Sequence, residues 1–539
     1  MPLRFPTMTT LFAMLCLALL LPAMASAQTL EDLVARLPAG NFNDRAAVVA
    51  QIAETGDPRA AAVLDALLEG ELEERKADHR IVRVTGGRNS QTATDILTGE
   101  DLGTVARRST ESIRVNNALR RAIRTALGVL TLMDPDPARR LAAAEAALRT
   151  PSAEQVDALT EAMQAEGVAS IRIAQSRARA AAILASDLPL ADKLEAVQVI
   201  GGAPALTVQA TLNAYRNADQ PELAAAVGAA IAAAESRQRM WGQVQNLWFG
   251  ISLGSVLLLA AIGLAITFGV MGVINLAHGE LVMLGAYTTY TVQQIIRTNA
   301  PELFSYSLAI AIPLAFLLVG AVGVVIERGI VRHLYGRPLE TLLGTWGVSL
   351  ILQQAVRSIF GPTNREVGTP DWMSGAWQIG EMTFTGSRIA IVVFSLAVFF
   401  GLLLLMRYSA FGLQMRAVTQ NRPMAANLGI RTGYVDALTF GLGAGVAGLA
   451  GVALSQIDNV SPNLGQGYII DSFLVVVFGG VGNLWGTFAA AFSLGIANKF
   501  LEPWAGAVLG KILILIFIIL FIQKRPRGLF PQRGRAAEG

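Results

Sequence analysis

The chain has 539 residues, 53% of them apolar and only 15% charged, with a mean hydropathy of +0.48. That is too apolar for an ordinary soluble protein, although the length leaves room for roughly three or four domains. The net charge of +3 comes from scattered arginines, without the clustered Lys/Arg and interleaved aromatics of a nucleic-acid footprint.

Residues 1–27 read as a secretory signal. Arg4 supplies the positive start, 11–21 is a short apolar run, and Ala25-Ser26-Ala27 is a small-x-small cleavage site. That run is too short to cross a bilayer core. The single cysteine, Cys16, follows Leu15 where a lipoprotein signal wants a small residue; cleavage after Ala27 removes it and its thiol chemistry, with an uncleaved anchor as the alternative.

From 28 to about 240 the pattern is Ala-rich, charged and helix-periodic. Breaks at Gly56-Asp57-Pro58, Asp134-Pro135-Asp136-Pro137, Thr150-Pro151-Ser152 and Asp219-Gln220-Pro221 restart helices, because proline ends one helix and suits the first turn of the next. Helix pairs restarting in this way predict a HEAT-like stack, with a plain helical bundle as the alternative. Ile81–Val84 and Gly86-Gly87 predict a short hairpin insertion.

From 241 to 523 eight apolar stretches have the length to cross ~30 Å of hydrocarbon: 247–273, 280–296, 306–326, 341–360, 389–406, 435–454, 470–498 and 505–523. The fold class expected is therefore all-α, a polytopic helical membrane protein behind a helical domain. Arg328, Arg332 and Arg337 fall in one loop, and Arg407, Arg416, Arg422 and Arg431 in another. The tail, 524–539, is basic, while loops 298–305 and 456–468 carry no Lys or Arg. The positive-inside rule places the arginine-rich loops and the tail in the cytoplasm, and a cleaved signal places the first domain in the periplasm. Eight full crossings would then leave the tail outside. One stretch must be incomplete or re-entrant, and 470–498, split by Gly479-Gly480-Val481-Gly482-Asn483, is the candidate.

Polar residues inside such spans are costly and point to function. Asn275, His278 and Glu280 interrupt an apolar run among glycines, either lining a pathway or satisfying helix ends in a turn. Gly480, Gly482, Asn483 and Trp485 form the counterpart in the second half, and paired interruptions mark a transport path; close helix packing is the alternative. Packing also accounts for GLGAGVAGLAG at 441–451. One His and one Glu make no metal site. The segment 408–432 predicts a short helix with Pro423 near its start, Ala425-Ala426 as a small face and Gly429 as C-cap, either a knob for a docking partner or an ordinary loop helix.

These motifs carry a family resemblance. GVMGVINLAHGELVMLGAY (269–287), the segment 416–451 and the glycine motif at 478–490 resemble the branched-chain amino-acid and urea family of ABC permeases over about 247–523. The resemblance implies a permease subunit whose loop, with Arg416, Asn421, Ala425, Ala426 and Gly429, docks on a separate ATPase. It also implies a second permease subunit and a periplasmic solute-binding protein as partners, in an inner membrane. Pro423 stands where the family's glutamate falls. The N-terminal extension and the runs TWGVSLILQQ (345–354), RSIFGPTN (357–364) and PDWMSG (370–375) are closer to the urea branch. Trp346, Gln353 and Gln354 suit a neutral amide solute, or bond between helices.

No nucleotide cradle or catalytic elbow is present, since GAVLGK (506–511) has the wrong spacing. The chain is expected to be no enzyme and to need no cofactor, ATP being consumed by its partners. The expected function is urea import; the alternatives are a branched-chain amino-acid permease, a passive channel, and a membrane-anchored scaffold.

Overall fold

A computed structural model describes residues 29–87, 90–105 and 109–530. The predicted signal at 1–27 and the last nine residues of the tail lie outside the described residues. The chain divides into two units between Ser236 and Arg237.

In the first unit, α1 (Leu30–Arg36), α2 (Phe42–Glu54) and α3 (Pro58–Glu69) lead into a sheet. The Gly56-Asp57-Pro58 break acts as its chemistry requires: Asp57 accepts from Arg59 N at 2.8 Å and Pro58 opens α3. The predicted hairpin is instead five antiparallel strands, β1 (Leu72–Arg75), β2 (Ile81–Gly87), β3 (Ser90–Asp95), β4 (Asp101–Val105) and β5 (Thr110–Ser112), in the order β4-β3-β2-β1-β5. An all-α reading misses it because β1 (LEER) and β3 (SQTATD) are polar and do not alternate cleanly. The helices then resume as α4 (Asn117–Leu132), α5 (Pro137–Arg149), α6 (Val156–Ala165), α7 (Ala169–Leu184), α8 (Leu190–Gly201) and α9 (Ala205–Leu212). Among them, the Arg140 guanidinium bonds both oxygens of Glu166 at 2.8 and 3.1 Å and holds that carboxyl below its ordinary range.

The division between the units falls inside α10 (Pro221–Met271). The second unit continues with α11 (His278–Asn299), α12 (Ser307–Gly329), α13 (Pro338–Phe360), and a two-strand ribbon, β6 (Ala376–Ile379) with β7 (Met382–Thr385). Next come α14 (Gly386–Tyr408), α15 (Ala410–Gln420), α16 (Arg422–Asn427), α17 (Thr432–Leu454), α18 (Leu464–Gly479) and α19 (Leu484–Lys524). Among the described residues five helical segments are long and apolar enough to cross a membrane: Pro221–Met271, Pro301–Gly329, Gly386–Tyr408, Thr432–Leu454 and Leu484–Lys524. The expected spans 280–296 and 341–360 form helices of full length, α11 and α13, but more polar ones. Protein rather than lipid surrounds α11, so it carries Thr289 and Gln293 buried on its faces.

The apolar window of α17 is 89% buried, against 22% for α14, which makes α17 the centre of the bundle. Its glycines permit this. A Cβ on Gly448 would come within 2.9 Å of the Ala315 carbonyl oxygen, and one on Gly451 would overlap the backbone of Val282. Backbones of α11, α12 and α17 therefore touch directly, the small-residue packing that helices use where lipid supplies no hydrophobic drive.

The stretch 470–498 is two helices, α18 and the start of α19, with Gly479 packed against Gly486 across the break. α19 is itself a hairpin. Gly506 is non-helical, with φ +78°, a value that glycine adopts readily. Straight, the 39 residues from Gly486 to Lys524 would extend about 57 Å. Phe530, only six residues on, lies beside Gly486 and accepts from Asn483 Nδ2 at 3.3 Å, so the second arm folds back. Among the described residues the bundle thus contains nine helical arms where eight apolar stretches are expected: α10 to α14, α17, α18 and the two arms of α19.

Candidate translocation site and coupling helix

α10 ends at Met271, and Gly272, with φ +70°, turns the chain back. The turn does not leave the bundle. His278 Nε2 donates to the Ala260 carbonyl at 2.7 Å, eleven residues before the end of α10, or about 16 Å along its axis. The segment 272–280 therefore re-enters the protein, and Asn275, His278 and Glu280 are all buried, 1–2% exposed.

α13 faces this re-entrant turn with Thr345, Ser349, Gln353 and Arg357, spaced four residues apart and hence on one slowly winding stripe. Each rung has a partner. Thr345 Oγ1 accepts from Leu276 N at 3.2 Å, and Ser349 Oγ donates to Glu280 Oε1 at 2.9 Å. Gln353 Nε2 and Arg357 both donate to Asn463 Oδ1, at 3.2 and 2.6 Å. Asn463 also lines a cavity of about 420 Å³ shared by Asp458, Asp471, Lys499, Glu502 and Lys511. A polar ladder so runs from the buried turn to a charged chamber. Among the described residues Asn275 Nδ2, His278 Nδ1 and Glu280 Oε2 make no hydrogen bond to another protein group, and buried polar atoms left so are costly.

The other residues expected on the path lie elsewhere. Trp346 and Trp485 are 52% and 54% exposed, on the outside of the bundle, with Trp485 packed edge-on against Phe399. Asn483 caps α19, accepting from Trp485 N and Gly486 N at 3.1 and 3.2 Å. A Cβ on Gly480 would come within 2.7 Å of the Phe530 carbonyl, and Gly482 packs on Gly269. The second glycine break therefore anchors the end of the bundle and does not join the ladder. Ser349, Arg357 and Asn463 do not stand out in the sequence as site residues; the four-residue spacing along 345–357 is the available signal for the first two.

The loop helix forms as its residues require. Asn421 Oδ1 accepts from Met424 N at 3.0 Å to start α16, with Pro423 in the first turn. Gly429, with φ +86°, ends it, and Ile430 N donates back to the Ala425 carbonyl at 3.1 Å. Ala425 is buried, while Ala426, Met424 and Leu428 face outward, Leu428 at 77% exposure. Arg416 donates to the Met406 carbonyl and so closes the end of α14.

The second unit matches a family model. Residues 246–522 fit the branched-chain amino acid transport system / permease component. The chain is 30% identical over 293 residues to the high-affinity branched-chain amino acid transport system permease protein LivH of Escherichia coli K12, covering 53% of this chain and 94% of that one. Against BraD of Pseudomonas aeruginosa, which bears the same description, identity is also 30%, over 53% and 95%. The autoinducer 2 import system permease protein LsrC of Salmonella paratyphi B is 28% identical over 45% of this chain and 65% of its own length. No solved structure matches the chain. A re-entrant polar turn, a small-residue core and a family match over the whole helical bundle agree, and the chain belongs to the branched-chain amino acid family of ABC transporter permeases.

Proposed function

We propose that this chain is a membrane-spanning subunit of an ATP-driven importer of a small amino acid or amide, worked through α16 by a separate ATPase. The single observation carrying this is the family match over 246–522, which contains both the re-entrant turn and the exposed loop helix. Nine passes support the orientation. Starting outside, an odd number brings the tail, with Lys524, Arg525 and Arg527, to the cytoplasm together with the loops after α12 and α14. The first unit is then periplasmic, its helices after β5 a stack of pairs, with a solute-binding protein and a second permease subunit as partners. Loop 272–280 and its ladder on α13 serve as the inner wall of the solute path, since irregular backbone at membrane depth belongs where it is buried or lines a cavity.

The relatives' names favour a branched-chain amino acid over urea as the solute. Urea remains the second reading for one reason: Gln353 and Asn463 set amide side chains at the junction of ladder and chamber, and these match an amide solute donor for acceptor. The test is ATP hydrolysis by the reconstituted complex with its binding protein, supplied with leucine or with urea. Stimulation of severalfold by leucine alone is expected. Stimulation by urea alone would exchange the two solutes, and solute flux without ATP would make the chain a channel.

A further inference from the structure

One ion pair ties three parts of the transmembrane unit together. Arg422, the first residue of α16, reaches Asp436 in the second turn of α17, with Nη1 3.2 Å from Oδ1 and Nη2 bonded to Oδ2. Asp436 is fully buried. The same guanidinium lies over the ring of Tyr335, its Cζ 4.8 Å from the ring centre, and Tyr335 sits in the link between α12 and α13. The Tyr335 hydroxyl in turn donates to Glu327 Oε1 at 3.4 Å. Glu327 belongs to the last turns of α12, is fully buried, and has Arg328 Nε 3.7 Å from its other oxygen.

We propose that Arg422 is the positioning residue that makes α16, α17 and the α12–α13 link move as one body. This rests on the reading of α16 as the ATPase-contacting helix. A helix of six residues has little stability of its own, and α16 buries only Ala425, so apolar packing gives it a weak hold. A planar fork bonded at both oxygens and stacked on a ring has one geometry. It fixes the short helix to α17, whose glycine face carries α11 and α12. A push on Met424 or Leu428 then reaches α17 and, through Gly451 and Val282, the helix that begins at His278 and Glu280. Lysine would keep the charge and lose the fork.

The test uses the whole complex in proteoliposomes, measuring labelled solute accumulated per ATP hydrolysed, with leucine or urea, whichever the wild type accumulates. Arg422→Gln is expected to lower that ratio about tenfold while hydrolysis continues, within the range of ordinary coupling energies. Arg422→Lys should fall between it and wild type. Asp436→Asn should resemble Arg422→Gln, and the double variant should be no worse than the poorer single, because both remove one interaction. A wild-type ratio in Arg422→Gln would overturn the proposal. So would a loss of subunit from the membrane that parallels the loss of uptake, or additive losses in the double variant. Should Asp436→Asn fail to assemble, the order wild type, Lys, Gln at position 422 decides alone. A wild-type complex that accumulates neither solute with ATP overturns the proposed function, and this inference with it.

Discussion

Gly285→Val should remove the folded subunit from the membrane almost entirely. A Cβ at this position would sit inside the Gly448 carbonyl, with the Gly448 Cα also in overlap. No rotamer relieves a clash between Cβ and backbone, so α11 and α17 must separate. Overpacking costs about 1–3 kcal/mol where side chains can give way, and more where they cannot. Separation here also opens the contacts of α17 with α12, because Gly448 meets Ala315 and Val319 on its other side. Membrane-fraction immunoblots should show the variant at about a tenth of wild type or less. Gly401→Ala is the control: a Cβ there meets nothing within 4 Å, and alanine favours the helix by about 1 kcal/mol. Normal amounts of Gly285→Val would mean that the α11–α17 crossing is looser than described.

Glu280→Gln separates transport from stability. The substitution keeps an oxygen for the Ser349 hydroxyl and replaces a buried carboxyl with a neutral amide of the same shape. A charged side chain in mid-membrane costs about 2.5–3.5 kcal/mol on insertion scales, so a purely structural view expects a variant that is at least as stable and fully active. On the present account the subunit should assemble and melt no lower than wild type, yet uptake should fall about tenfold or more, about 1.4 kcal/mol. Unchanged uptake would place the solute path away from the re-entrant turn. Uptake and melting temperature, measured on one preparation, tell the two apart.

Much of this architecture was legible in the residues, and the failures have physical causes. The helix breaks at Gly56-Asp57-Pro58 and Asp134–Pro137 follow from proline and capping chemistry, which acts locally. The five-stranded sheet was hidden because its strands are short and polar, and strand pairing depends on distant partners. The parity conflict lay in counting 470–498 as one stretch: its glycine break was legible, but two equally apolar flanks do not show whether the second turns back as a separate helix. Asn275, His278 and Glu280 stood out as polar residues in an apolar run and are indeed buried together. Gly480 to Trp485 stood out by the same signal, yet they pack against Phe530 and Phe399. A glycine break does not disclose whether it adjoins a cavity or another strand of the same chain. The Arg422–Asp436 pair, fourteen residues apart, was invisible for a similar reason: only the fold brings α16 onto α17.

An ATPase can work the bundle through α16 only where that helix faces the cytoplasm. A cysteine introduced at Leu428, in a Cys16→Ser background, places one thiol on the outward face of that helix. In sealed inside-out vesicles a membrane-impermeant maleimide should label it, and the ATPase subunit, when added, should protect it. Labelling of intact right-side-out vesicles instead, or a thiol indifferent to the ATPase, would contradict an importer driven from the cytoplasmic side through this helix.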